Sequence, residues 1–131
     1  MSKVILLYLI LFLHIAGVVF RWYWLIPHYD TAMHFLGGFW VAMMALYLTE
    51  RIHDKSVLEH TPVLKFFLLI GVAMTIGFLW EGYEFLADTF ILHKRFIQGS
   101  VADTMSDLLA DFLGALVYAV FALFVRNKKP R

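Results

Sequence analysis

Residues 63–87 read VLKFFLLIGVAMTIGFLWEGYEFLA, an apolar stretch that contains only three charged side chains, Lys65, Glu81 and Glu84. A helix that crosses a bilayer needs about 20 mostly apolar residues, and this stretch meets that requirement. Three other segments of similar character accompany it, and the whole chain is 62% hydrophobic, against roughly 45–50% for soluble domains. The sequence therefore predicts an integral membrane protein.

Four such segments and their short loops account for nearly all of the 131 residues. We predict an all-α, integral membrane four-helix bundle that forms a single transmembrane domain over residues 1–131, with helices at about 4–26, 30–48, 63–87 and 102–125. Pro62 suits the first position of the third helix, and Ser100 followed by Asp103 suits an N-terminal cap for the fourth. Cysteine is absent, which excludes disulfides and thiolate chemistry.

The basic residues predict the orientation of the bundle. With four spans, both termini and the 49–61 loop share one side, and eight of the eleven Lys and Arg residues fall there. These eight are Lys3, Arg51, Lys55, Lys65, Arg126, Lys128, Lys129 and Arg131, whereas Arg21, Lys94 and Arg95 fall on the other side. Basic loops stay in the cytoplasm, so we predict a cell inner (plasma) membrane protein with both termini cytoplasmic. Lipid is the expected partner, and nucleic acid is not, because no basic–aromatic run is present.

The acidic residues gather at the opposite end of the bundle. Seven of the ten acids lie at or inside the extracytoplasmic ends of three predicted helices, namely Asp30, Glu81, Glu84, Asp88, Asp103, Asp107 and Asp111. Within each helix they recur at intervals of three or four residues, which places them on one face. The third and fourth helices are antiparallel, so Asp88 should lie level with Asp103, and Glu81 with Asp111. The spacing predicts a ladder of carboxylates that reaches into the bilayer.

Such a ladder needs compensating positive charge. An ionisable group at bilayer depth costs about 2.5–3.5 kcal/mol on insertion scales, and carboxylates close to one another are costly to ionise together. Divalent cations or protons could compensate, and carboxylates with an imidazole suit Mg, Mn, Ca or Zn. The candidate metal ligands are Asp30, His34, Glu81, Glu84, Asp88, Asp103, Asp107 and Asp111. Asp88 and Asp103 could instead be interfacial charges, and His34 could orient Asp30 without binding metal.

Several other polar and small residues favour a role in helix packing. His14 lies alone near the middle of the first helix, where an interhelical hydrogen bond is the more common role. Small residues let helices approach closely in lipid. We expect packing of this kind at Gly37, Gly38, Gly77, Gly82 and Gly114, which would allow the acidic faces to converge.

One combined pattern resembles a known group of proteins. It runs from Asp30-x3-His34 through Trp80-Glu81-x2-Glu84-x3-Asp88 to Asp103-x3-Asp107-x3-Asp111. This resembles the uncharacterised YjdF-like bacterial inner-membrane family and is more distantly similar to VanZ-like membrane proteins. The VanZ-like resemblance implies envelope or lipid chemistry, although Asp111 stands where that group tends to have Asn. The YjdF-like resemblance implies no established reaction.

Three functional hypotheses follow from the sequence. The first is a divalent-cation site near the extracytoplasmic end of the bundle, with metal-assisted hydrolysis or transfer on a lipid-linked phosphate or envelope substrate as its chemistry. The second is an ion- or proton-coupled carrier, which the apolar inner halves of the later helices disfavour. The third is a structural membrane subunit in which the charges only fix helix pairing. Whether the protein is an enzyme stays open at this point.

Overall fold

The computed structural model describes residues 2–52, 60–93, 97 and 99–126, and these form helices with no strand among them. The helices are α1 (Ser2–Val19), α2 (Trp22–Leu25), α3 (Tyr29–Ile52), α4 (Pro62–Leu86) and α5 (Val101–Arg126), and a π-helical segment (Ala87–Leu92) continues α4. The prediction of an all-α fold is confirmed. Several residues of the sequence argument lie outside the described residues, namely Lys55, Lys94, Arg95, Lys128, Lys129 and Arg131.

Three helical stretches are long and apolar enough to cross a membrane: Tyr29–Ile52, Pro62–Leu92 and Val101–Phe124. The first helix is also apolar, over Lys3–Val19, but it is shorter than these three. The chain is therefore a helical membrane protein with three candidate spans. The fourth span of the predicted bundle stays a prediction.

The first predicted helix, at about 4–26, is divided into two helices. Arg21 adopts a left-handed backbone conformation, with φ of 60°, directly before α2. His28 has the same φ directly before α3. A left-handed residue cannot continue a right-handed helix, so α2 is a short separate segment between two bends.

The central packing unit consists of α3, α4 and α5, each of which contacts the other two. Its apolar core is rich in alanine, and Ala42, Leu69, Ala115 and Ala119 have no exposed surface. Small side chains let helices pack closely in lipid, where van der Waals contact replaces the hydrophobic effect between helices. Lys65, near the start of α4, is also buried, and its Nζ donates a hydrogen bond of 3.2 Å to the carbonyl of Ala122, near the end of α5.

Glycines set the distance between α3 and α5. A Cβ added at Gly38 would lie 2.7 Å from the Cα of Asp111, and one added at Gly114 would lie 2.8 Å from the backbone nitrogen of Phe39. The predicted packing role is confirmed at these two glycines. It is wrong for Gly82, where an added Cβ would meet nothing within 4 Å.

The first helix packs along α3 in the antiparallel direction. The Tyr29 hydroxyl donates a hydrogen bond of 2.8 Å to the carbonyl of Leu13. Near the other end of α3, the Trp40 indole donates one of 3.0 Å to the carbonyl of Lys3. The Lys3 ammonium lies 3.3 Å from the centroid of the Tyr47 ring, a cation–π contact. These contacts place the start of α1 beside the second half of α3 and the end of α1 beside its start.

We expect the substitutions Gly38→Ala and Gly114→Ala to lower the free energy of unfolding by about 1–3 kcal/mol, because each forces two backbones apart in a packed interface. Reversible unfolding in mixed micelles measures this change. Gly71→Ala is the matched control, since an added Cβ there meets nothing within 4 Å, and we expect it to be neutral or slightly stabilising. Equal losses in all three variants would contradict the close-approach explanation.

Candidate metal centre

His34 lies at the centre of the acidic residues, with 7% of its side chain exposed. Its two ring nitrogens face different carboxylates. Nδ1 lies 3.1 Å from Oδ2 of Asp111. On the other side of the ring, Nε2 lies 3.7 Å from Oε1 of Glu81 and 3.8 Å from Oδ1 of Asp30. The imidazole therefore joins acids from α3, α4 and α5 in a single group.

Each helix contributes to this group because of local spacing. Asp30 and His34 are four residues apart in α3, and such residues lie on one face, one turn apart. Asp107 and Asp111 have the same relation in α5. Glu81 comes from α4, so three separate helices supply the site.

Three of these residues have the geometry of a metal site. One ligand atom from each of Asp30, His34 and Asp107 lies within 4.8 Å of the others. The distances from His34 Nε2 to the oxygens of Asp30 and Glu81 are too long for a hydrogen bond. However, two bonds of about 2.1 Å to one ion span up to about 4.2 Å. The distances from Nε2 of His34 to Asp30 and Glu81, 3.8 Å and 3.7 Å, fall within that span.

Two buried carboxylate oxygens in this group also need a partner. Glu81 is 5% exposed and Asp107 is 2% exposed. Oε1 of Glu81 and Oδ1 of Asp107 have no hydrogen-bond partner among the described residues. Leaving a buried charged acceptor unsatisfied costs more than a neutral hydrogen bond contributes. Both oxygens are therefore buried acceptors whose hydrogen-bonding capacity the described residues leave unused.

Three further side chains hold the carboxylates in place. The Thr31 hydroxyl is hydrogen-bonded to Asp107, and the Thr104 hydroxyl to Glu81. The Trp80 indole donates a hydrogen bond of 2.9 Å to Oε1 of the buried Glu84. Sequence reasoning missed both threonines as site residues. The sequence did offer one indication of a site role, because Thr31 directly follows Asp30 and Thr104 directly follows Asp103.

The two outermost predicted ligands contact the connection between α4 and α5. Both carboxylate oxygens of Asp88 accept hydrogen bonds from the backbone N–H of Ile97, at 3.0 Å each. The N–H of Asp103 donates one of 3.2 Å to Oγ of Ser100, which confirms the predicted cap. Neither residue is among the acids that approach His34. A ligand role for Asp88 and Asp103 stays a prediction.

The predicted ladder differs from the observed arrangement in how its rungs meet. Glu81 and Asp111 were expected to face each other directly. Instead they lie on opposite sides of the His34 ring, which occupies the space between them. The prediction paired α4 with α5 alone. It did not allow for the His34 side chain of α3, which lies between the two acids.

An aromatic group lies beside the site at the start of α3. The Tyr23 hydroxyl and Nδ1 of His14 form a hydrogen bond of 2.7 Å, which confirms the interhelical role predicted for His14. Burial, and then the neighbouring charge of Asp30, raise the pKa of the Tyr23 hydroxyl, so it remains protonated. Tyr23 is one of several aromatic residues between Phe20 and Pro27, and nothing in the sequence distinguished it among them.

Comparison with known proteins identifies a family. The family model described as "Predicted membrane protein (DUF2238)" matches residues 2–128. Comparisons with curated proteins and with solved structures found no match. The YjdF-like and VanZ-like resemblances stay predictions. Because the match covers nearly the whole chain, this protein belongs to the DUF2238 family of predicted membrane proteins.

Proposed function

We propose that this protein binds a divalent cation inside the membrane bundle, between α3, α4 and α5. Asp30, His34 and Asp107 are the ligands, and Glu81 completes the set. The observation that carries the proposal is the spacing of the ligand atoms, with three of them within 4.8 Å of one another. The partnerless oxygens of Glu81 and Asp107 support it.

The charge of the group supports the same conclusion. Five carboxylates surround one imidazole, namely Asp30, Glu81, Glu84, Asp107 and Asp111. All five belong to segments that are apolar enough to span a membrane. Charged residues at this depth are costly unless they are paired or face a polar cavity. A divalent cation offsets two negative charges and satisfies several oxygens at once.

An ion in this site could serve a reaction. Three or four protein ligands leave coordination positions for water or substrate, as in catalytic metal sites. The Asp30 side chain is 29% exposed, so the group is open on that side. A bound metal activates water and neutralises phosphate. We therefore propose metal-assisted hydrolysis or transfer on a lipid-linked phosphate as the chemistry.

The packing of the bundle argues against a carrier. Between the site and the opposite end of the three-helix unit lie Leu69, Ala73, Ala115 and Ala119, all of them 0% or 1% exposed. A carrier needs a polar route to both faces, and this part of the core is apolar. The structure therefore supports access to the site from one face.

We propose further that α1 is a fourth span and that the acidic end faces away from the cytoplasm. The antiparallel contacts of α1 run from Tyr29 to Tyr47 of α3. Leu13 and Lys3, the α1 residues in these contacts, lie ten residues apart, so the two helices run side by side over about 15 Å, at 1.5 Å per residue. Four spans put both termini on one side. The excess of Lys and Arg on that side supports cytoplasmic termini, and the membrane we propose is the plasma membrane.

Metal analysis of detergent-purified protein tests the site. After equilibration with divalent cation and removal of the excess, we expect close to one ion per chain by elemental analysis. Asp107→Asn and His34→Gln should lose most of it, because each removes a ligand. Glu50→Gln is the matched control, since Glu50 lies at the opposite end of α3 from Asp30 and His34, and it should retain the ion. Near-zero metal in the wild type as well would refute the cation site, and retention of folding in the neutral variants would then favour a structural subunit.

Liposomes that contain a polyprenyl diphosphate test the chemistry. We expect phosphate release that depends on added divalent cation and is lost in Asp107→Asn. The metal activates water at the site, so release should follow the metal content of each variant. A metal-loaded wild type that releases no phosphate would contradict this reaction while leaving the binding site intact.

Single-cysteine labelling tests the orientation, and the chain offers a clean background because it has no cysteine. In intact cells, a membrane-impermeant maleimide should label Val101→Cys, at the acidic end. It should label Ser2→Cys and Ile52→Cys only after permeabilisation. If Ser2→Cys reacts like Val101→Cys in intact cells, α1 does not span the membrane.

A further inference from the structure

We infer that the bound ion is a transition-type cation that accepts a nitrogen ligand, such as Zn²⁺, Fe²⁺ or Co²⁺, and not Mg²⁺ or Ca²⁺. We also infer that Asp111 is the positioning residue that aims the His34 nitrogen at this ion. Both inferences rest on the proposed cation site. They name the class of ion and a role for Asp111 other than that of ligand.

The first step of the argument is the contact between His34 and Asp111. Nδ1 of His34 lies 3.1 Å from Oδ2 of Asp111, and both side chains are buried. An ionised carboxylate can only accept hydrogen bonds, so Nδ1 carries the proton and donates it. In the neutral ring, Nε2 then has the free lone pair. That nitrogen faces Asp30 and Glu81.

The second step is the cradle that holds the Asp111 carboxylate, formed by glycines on two helices. A Cβ added at Gly77 of α4 would collide with Oδ2 of Asp111 and approach its Cγ to 3.0 Å. A Cβ added at Gly38 of α3 would collide with the Asp111 backbone, and one at Gly37 would lie 3.9 Å from Oδ1. The space at Gly77 and Gly38 is therefore occupied by Asp111, which leaves its carboxylate little freedom to turn away from His34, whereas the distance at Gly37 is an ordinary van der Waals contact.

The third step is the chemistry of the donor set. A histidine that binds metal commonly donates its other N–H to a carboxylate, and losing that partner lowers metal affinity about 10–100-fold. Imidazole suits Zn, Cu, Fe and Ni, whereas Mg and Ca take oxygen ligands. A site built only for Mg²⁺ or Ca²⁺ has no use for an imidazole nitrogen aimed between two carboxylates. The oriented Nε2 therefore assigns the site to the first class.

Competition between ions in metal-free, detergent-purified protein tests the ion class. Zn²⁺ binds most sites more tightly than Mg²⁺, so the informative quantity is the change in the ratio of their dissociation constants. We expect His34→Gln to reduce the preference for Zn²⁺ over Mg²⁺ by at least about 10-fold, because it replaces the nitrogen ligand with an amide. An unchanged ratio, or wild-type protein that binds Mg²⁺ or Ca²⁺ at least as tightly as Zn²⁺, would overturn the inference and leave the cation site standing.

Co²⁺ titration tests the role of Asp111. Visible absorption of bound Co²⁺ reports its coordination, which a purely structural residue would not change. We expect Asp111→Asn and Gly77→Ala to weaken Co²⁺ binding about 10–100-fold and to alter the spectrum. Gly82→Ala is the matched control on the same helix, because an added Cβ there meets nothing within 4 Å, and it should behave as wild type.

The outcomes separate the two levels of the proposal. Absence of binding of any divalent ion to wild-type protein removes the cation site and the inference together. A wild-type Co²⁺ spectrum and affinity in Asp111→Asn overturn the positioning role alone. If Asp111→Asn fails to fold, Gly77→Ala decides the question, since it leaves the carboxylate in the chain. Unchanged Co²⁺ affinity and spectrum in Gly77→Ala would then count against the role.

Discussion

The close approach of α3 and α5 is the constraint on which the rest of the structure depends. Gly38 and Gly114 let the two backbones meet at the depth of Asp111. That contact brings the Asp111 carboxylate to Nδ1 of His34. A side chain at either glycine would separate the helices, and the imidazole could no longer join acids from three helices. The glycines that set the distance between the helices therefore also set the geometry of the candidate site.

Along its length, the bundle has an apolar part and a part with buried polar side chains. One part is an alanine-rich core, including Ala42, Ala73, Ala115 and Ala119, that needs no polar partner. Toward the start of α3, several carboxylates are buried around one imidazole. Lipid supplies no hydrogen bonds or counter-ions, so these groups must satisfy one another or bind something positive. Thr31, Thr104 and Trp80 form hydrogen bonds with some of these carboxylates. Among the described residues, Oε1 of Glu81 and Oδ1 of Asp107 have no hydrogen-bond partner.

This arrangement also separates residues that share a sequence pattern. Asp103, Asp107 and Asp111 recur every four residues and look equivalent in the sequence. In the structure, the backbone N–H of Asp103 bonds to Ser100, Asp107 offers an oxygen to the group with Asp30 and His34, and Asp111 lies beside Nδ1 of the imidazole. Each of the three acids lies one turn further from the start of α5 than the one before it. Each turn contacts different residues of α3 and α4. One helical stripe therefore places its three acids in three different surroundings.

The sequence by itself determined the class of fold and the faces that carry the acids. Apolar stretches of about 20 residues predict helices that span a bilayer. The period of an α-helix places residues three or four apart on one face. It could not determine that Arg21 would divide the first segment, or that Thr31 and Thr104 would hold the carboxylates. It also predicted Glu81 opposite Asp111, whereas His34 lies between them. Only the tertiary structure decided these points, because the rotation and depth of three helices relative to one another depend on which small residues meet. No single helix carries that information in its own periodicity.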